Sequence, residues 1–114
     1  MPQAVEKPAH QKVRVMLEKI RAEVELVGRH LRVVRTVAEH QPIGIMKLAE
    51  LTGLPAHRVR YSLKVLEGQG YIQASPSGAM VTEAAKERMK TLDSEIDPII
   101  DLLETMRREN ATNQ

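Results

Sequence analysis

Two apolar series bracket this chain, each stepping alternately by four and three residues. The first runs Val13, Leu17, Ile20, Val24, Val27, Leu31, Val34, and the second Ala85, Met89, Leu92, Ile96, Ile99, Leu103, Met106. Such steps lay one apolar stripe along a helix and keep it facing one partner, as in a coiled coil or a tightly packed long helix. The chain between them is punctuated by Pro42, Gly53, Pro55, Gly68 and the turn "PSG" at 76–78. Proline cannot continue a helix and glycine ends one readily, so this middle must be built from short elements.

The expected order follows from that punctuation. Residues 1–7 read as a disordered start, and Pro8 suits a first helical turn. Residues 8–28 read as an N-terminal heptad helix, with Gly28 expected to kink or divide it at a cost of about 1 kcal/mol relative to alanine. Ile43 to Ile45, "IGI", is expected to form one edge strand. "MKLAELTG" reads as a short helix that buries Leu48 and Leu51 and closes at Gly53. "LPAHRVRYSLKVLEGQG" reads as a second helix with Val59, Leu63 and Leu66 inward. "YIQAS", the turn and "AMVT" form a hairpin. Thr82 is expected to cap the next helix, with Glu83 in its first turn. Residues 83–109 read as the C-terminal heptad helix, restarting at Asp97 and Pro98. Residues 110–114 read as a frayed tail.

Composition narrows the chemistry. At 114 residues the chain is one domain with helical extensions, and it has no cysteine, so disulfides and thiolate ligands are excluded. With no Phe or Trp and only Tyr61 and Tyr71, the core must be aliphatic, and stacking on single-stranded bases has little to use. His10, His30, His40 and His57 are scattered and make no helical metal pair. Ser62 and Ser94 have no nearby base in sequence, and no phosphate-binding glycine loop is present, so neither an enzyme nor a metal or cofactor is expected. No apolar run reaches the roughly 20 residues of a membrane span, and no hydrophobic run follows the N-terminal charges. The expectation is a soluble, cytoplasmic protein.

Net charge is only +2, but its distribution is uneven. Lys and Arg against Asp and Glu number 5 to 4 in residues 1–27, 7 to 3 in residues 28–70 and 5 to 8 in residues 71–114. The basic middle coincides with the helix that buries Val59, Leu63 and Leu66. Burying those leaves Ala56, His57, Arg58, Arg60, Tyr61 and Lys64 on the free face. A major groove admits one α-helix, and arginine bonds guanine bidentately there.

These residues, "IMKLAELTGLPAHRVRYSLKVLEGQGYIQASPSGAMVTEAAKE", resemble the winged helix-turn-helix of prokaryotic transcriptional regulators, small archaeal ones included. The resemblance covers about residues 30–88 and implies a mainly α, winged helix-turn-helix fold, with residues 29–82 as the winged body. It implies that Pro55–Glu67 is the recognition helix, Gln73–Val81 the wing, and double-stranded DNA the partner. The wing tip "QASPSGAM" carries no Lys or Arg, so wing contacts would fall to Gln73, Ser75, Ser77 or backbone amides. Arg29, Arg32 and Arg35 on the preceding helix, and Lys47 at the next helix start, are the candidate phosphate contacts.

The heptads suggest self-association. A helix from Val13 to Val34 spans about 32 Å, more than a small winged body can cover. A homodimer joined through Val13, Leu17, Ile20, Val24, Leu92, Ile96, Ile99, Leu103 and Met106 would cover the excess. The sequence does not say which helices pair, and it names no small-molecule effector. A rival reading is a protein-interaction module in a larger assembly, which the uncharged wing tip favours.

Overall fold

The computed structural model describes residues 8–112, with side chains from residue 11 onward. The elements run α1 (Pro8–His40), α2 (Ile45–Thr52), α3 (Ala56–Gly68), β1 (Ile72–Ser75), β2 (Gly78–Val81), α4 (Glu83–Lys90) and α5 (Leu92–Thr112). The expected start, residues 1–7, lies outside the described residues, as do 113 and 114.

Aliphatic side chains from six elements and one connection meet in a single core. Val33, Val34 and Val37 of α1 pack with Ile43, Leu48, Val59, Leu66, Ile72, Val81 and Ala85. Glycine-closed turns set the angles between the pieces. Gly53 ends α2 in the left-handed region at φ 73°, and its N–H donates to the Ala49 carbonyl over 2.9 Å. Gly70, at φ 83°, follows α3, and Tyr71 N–H then donates to the Leu66 carbonyl over 2.9 Å. Thr82 caps α4 by accepting from Ala85 N–H at 3.2 Å, as expected, while its hydroxyl donates to the Gly70 carbonyl at 2.6 Å. One threonine thereby fixes both the exit from α3 and the entry to α4.

The hairpin pairs Ile72 with Val81 and Ser75 with Gly78 in antiparallel register. The connection from α1 lies against it: Ile43 and Ala79 exchange backbone hydrogen bonds of 3.2 and 2.8 Å. Thus only Ile43 of the expected "IGI" strand pairs, and Ile45 already begins α2. Gly78, at φ 133°, is demanded by that contact, because a Cβ there would stand 2.6 Å from the Ile43 carbonyl group. Three helices followed by a hairpin with one bridging residue make a winged helix-turn-helix, the fold implied by the resemblance.

Four local expectations need correction. Gly28 neither kinks α1 into two assigned helices nor ends it; α1 is continuous for 33 residues, because the glycine penalty is small beside the hydrogen bonds of a long helix. Leu51 is 41% exposed instead of buried. The inward stripe of α2 is Ile45, Leu48, Ala49 and Thr52, at helical spacing, and Leu51 falls off it. The C-terminal helix divides at Thr91, not at Asp97, and Pro98 lies inside α5. Helical structure also extends through Asn110 to Thr112.

Outside the core the long helices are bare. Val13, Leu17, Ile20, Val24 and Val27 of α1, and Ile99, Leu103 and Met106 of α5, are exposed, whereas Leu92 and Ile96 are half-buried. The radius of gyration is 18.9 Å, against roughly 13 Å for a compact chain of this length. The difference comes from these two arms.

Candidate nucleic-acid interface

Helix α3 buries Val59, Ser62 and Leu66 and half-buries Leu63. Ser62 holds a place on the inward face, where the sequence predicts only Val59, Leu63 and Leu66. The outward residues then follow from geometry. Residues turn by about 100° each along a helix, so His57, Tyr61 and Lys64 lie near the centre of the free face. Arg58 and Arg60, about 200° apart, lie on its two flanks. All five side chains are exposed, and Ala56 is half-buried in the first turn. Arg60 and Lys64 lean toward the hairpin, where they line a groove with Leu63, Ala74, Ser75 and Ala79.

The cations of this face stand without acids. Among the described residues Arg58, Arg60 and Lys64 form no ion pair, although Glu67 lies three residues beyond Lys64. On α4 every cation is paired: Lys86 with Glu83 at 3.1 Å, Lys90 with Glu87 at 3.0 Å, and Arg88 with Glu95. That last pair raises the Arg88 pKa and lowers that of Glu95, chiefly through the hydrogen bond between them.

The other sequence-derived positions are distributed unevenly around α3. Lys47 is exposed on α2 and lies 3.5 Å from Glu50. Arg29 is half-buried beside His30, and Arg32 is exposed. Arg35 lines a groove with Val81, Lys86 and Met89, on the α4 side of α1 instead of the α3 side. On the wing, Gln73 and Ser77 are exposed. Ser75 is occupied internally: its hydroxyl donates to the Gly78 carbonyl at 2.7 Å and accepts from Ser77 N–H at 3.3 Å. Those bonds shape a two-residue turn, so the wing is short and stiff.

One contact was not foreseen. His30 Nδ1 lies 2.7 Å from Ser62 Oγ, giving that serine the imidazole partner that sequence proximity did not. Ser62 is 1% exposed, so its hydroxyl is turned to the interior and not toward a substrate. The His30 ring also meets the Tyr61 ring, centroids 5.8 Å apart and planes tilted by 35°. Tyr61 therefore leans on α1, not under the wing, and remains 55% exposed. Burial, and secondarily the neighbouring Arg29, lower the His30 pKa. The sequence signal for this contact was a small polar residue at a helical step between Val59 and Leu66. Below His30, a cavity of about 340 Å³ runs past Val27, Leu66, Tyr71, Arg88 and Met89.

Comparison with solved structures finds a likeness of fold. The chain is similar to RV1404 from Mycobacterium tuberculosis, with a TM-score of 0.52 and 17% identity, over 86% of this chain and 82% of that one. It also matches a MarR/EmrR family transcriptional regulator from Acinetobacter sp. ADP1 more loosely, with a TM-score of 0.46 and 17% identity, over 94% of this chain and 97% of that one. No protein-family model matches the chain, and no curated protein matches it in sequence. At such identity the likeness to RV1404 is one of fold. Among the described residues, no helix is long and apolar enough to cross a membrane.

Proposed function

We propose that this chain is a sequence-specific double-stranded DNA-binding protein that acts as a homodimeric transcriptional regulator. The observation that carries the reading is the unpaired cationic face of α3. Among the described residues Arg58, Arg60 and Lys64 lack acidic partners, whereas every cation of α4 is paired. An exposed guanidinium kept free of carboxylates is available to phosphate oxygens and to the O6 and N7 of guanine. His57 and Tyr61 sit between the two arginine flanks, where a base edge would come. Arg60 and Lys64 border the groove beside the wing, a path for one phosphate strand.

The dimer is supported by the exposed apolar stripes of α1 and α5. Two copies related by a twofold axis would cover Val13, Leu17, Ile20 and Val24 with Ile99, Leu103 and Met106 of either copy. The two α3 helices would then address half-sites about 34 Å apart, or a multiple of that.

Selection of duplexes from a random pool, followed by a salt titration, tests the proposal. Enrichment of a symmetric motif and a steep log–log salt slope are expected. Binding that ignores salt would remove phosphate contact from the account. Arg60→Ala should cost about 1–3 kcal/mol on the selected site. The molar mass by light scattering should be twice that of one chain, and a monomer at micromolar concentration would end the dimer proposal. The alternative, an interaction module, predicts partner capture that survives nuclease treatment and charge reversal at Arg58 and Arg60.

A further inference from the structure

His30 is where the arm helix grips the outward-reading helix. On its N-terminal side Val27 is exposed; on its C-terminal side Val33 is fully buried. At that boundary one imidazole meets two successive residues of α3, the buried Ser62 and the exposed Tyr61. Helical serines often bond the carbonyl one turn back. Among the described residues, the Ser62 hydroxyl has His30 as its sole hydrogen-bond partner, so its bond ties two helices together instead of decorating one. A buried hydroxyl has no water to replace that partner. Burial and Arg29 keep the ring neutral near pH 7, with a lone pair able to accept the Ser62 proton.

We propose that His30 is a positioning residue for base reading: through Ser62 it fixes the rotation of α3, and through Tyr61 it aims the ring at the centre of the reading face. This rests on the DNA-binding proposal above. His30 itself stays off the DNA. A rotation of α3 by one-tenth of a turn would move the flanking arginines by more than a hydrogen bond tolerates, while long flexible cations would still find phosphates. The loss of His30 should therefore blunt sequence selectivity and spare non-specific attachment.

The experiment measures affinity for a duplex selected by the wild-type protein and for a scrambled duplex of equal length, each over a salt series. If the wild-type protein selects nothing and binds without salt dependence, the DNA-binding reading itself fails, before any variant is made. Given selection, His30→Ala is expected to lose about fivefold or more on the selected duplex, the equivalent of one weakened base contact. Its affinity for the scrambled duplex and its salt slope should stay as in wild type. His30→Asn, which places an amide near the Nδ1 position, should recover part of the loss. His30→Ala combined with Ser62→Ala should be no worse than His30→Ala alone. Equal losses on both duplexes, or no loss on the selected one, would overturn the proposal. Should His30→Ala fail to fold, His30→Gln carries the same expectation of selective loss, and the same two results overturn it.

Discussion

Helices α3 and α4 each carry three cations, and they treat them in opposite ways. On α4, carboxylates at helical spacing and one from α5 neutralise Lys86, Arg88 and Lys90. On α3, Arg58, Arg60 and Lys64 have only Glu67 within their own helix, and it pairs with none of them. Exposed pairs such as those of α4 contribute little to stability. Their consequence is electrostatic: they cancel the local field. The contrast indicates that positive charge on this protein is placed by face, not spread evenly, and that net charge hides the placement.

The comparison breaks most visibly if equal charge is removed from both helices. Arg58→Gln with Arg60→Gln should lower DNA affinity by about 100-fold at moderate salt, two contacts' worth. Lys86→Gln with Lys90→Gln makes the same change in charge and should stay within about threefold, since screening weakens distant exposed charges. Similar losses from both, measured by fluorescence anisotropy on one duplex, would show that only the total charge matters.

A gentler change sharpens the contrast by converting one helix into the other. His57→Glu puts a carboxylate three residues before Arg60, the spacing by which Glu83 holds Lys86. Affinity should fall about tenfold, while thermal stability should shift by no more than about 0.5 kcal/mol. Retained affinity would mean that Arg60 is not read through its free charge.

The smallest expected effect concerns the grip between α1 and α3. The His30 pKa is lowered in the fold from the ordinary 6.5. The folded state then binds fewer protons than the unfolded chain below that value, so this group's effect is absent above pH 6.5 and destabilises as pH falls through it. A shallow loss of Tm between pH 7 and pH 5 is expected, and His30→Asn should flatten that part of the profile. An unchanged slope in the variant would assign the pH dependence elsewhere.

Much of this fold could be read before any coordinates. Apolar periodicity located both long helices, and the glycines and prolines bounded α2, α3 and the hairpin, because those residues act through local backbone geometry. The errors cluster where tertiary context decides. Leu51 looked like core and Thr52 did not, yet Thr52 is buried because its hydroxyl donates to the Leu48 carbonyl at 2.7 Å and accepts from Leu54 N–H at 3.3 Å. A satisfied hydroxyl is as acceptable inside as a methyl group. The expected restart at Asp97 and Pro98 lost to Thr91, where the chain turns to bring Glu95 onto Arg88. The outward face of α3 was legible from three inward residues, but the contact of His30 with Ser62 spans 32 positions, and the helical step marks only its Ser62 end, not the partner.

The unbroken course of α1 has a mechanical consequence. Its 33 residues form a strut about 50 Å long, with bare valines at one end and Val33, Val34 and Val37 locked at the other. In a pair of such molecules the struts would behave like the legs of drawing dividers. A change of about 10° in their crossing sweeps the far ends through about 9 Å on a lever of this length, enough to bring two reading tips into or out of step with the pitch of a duplex.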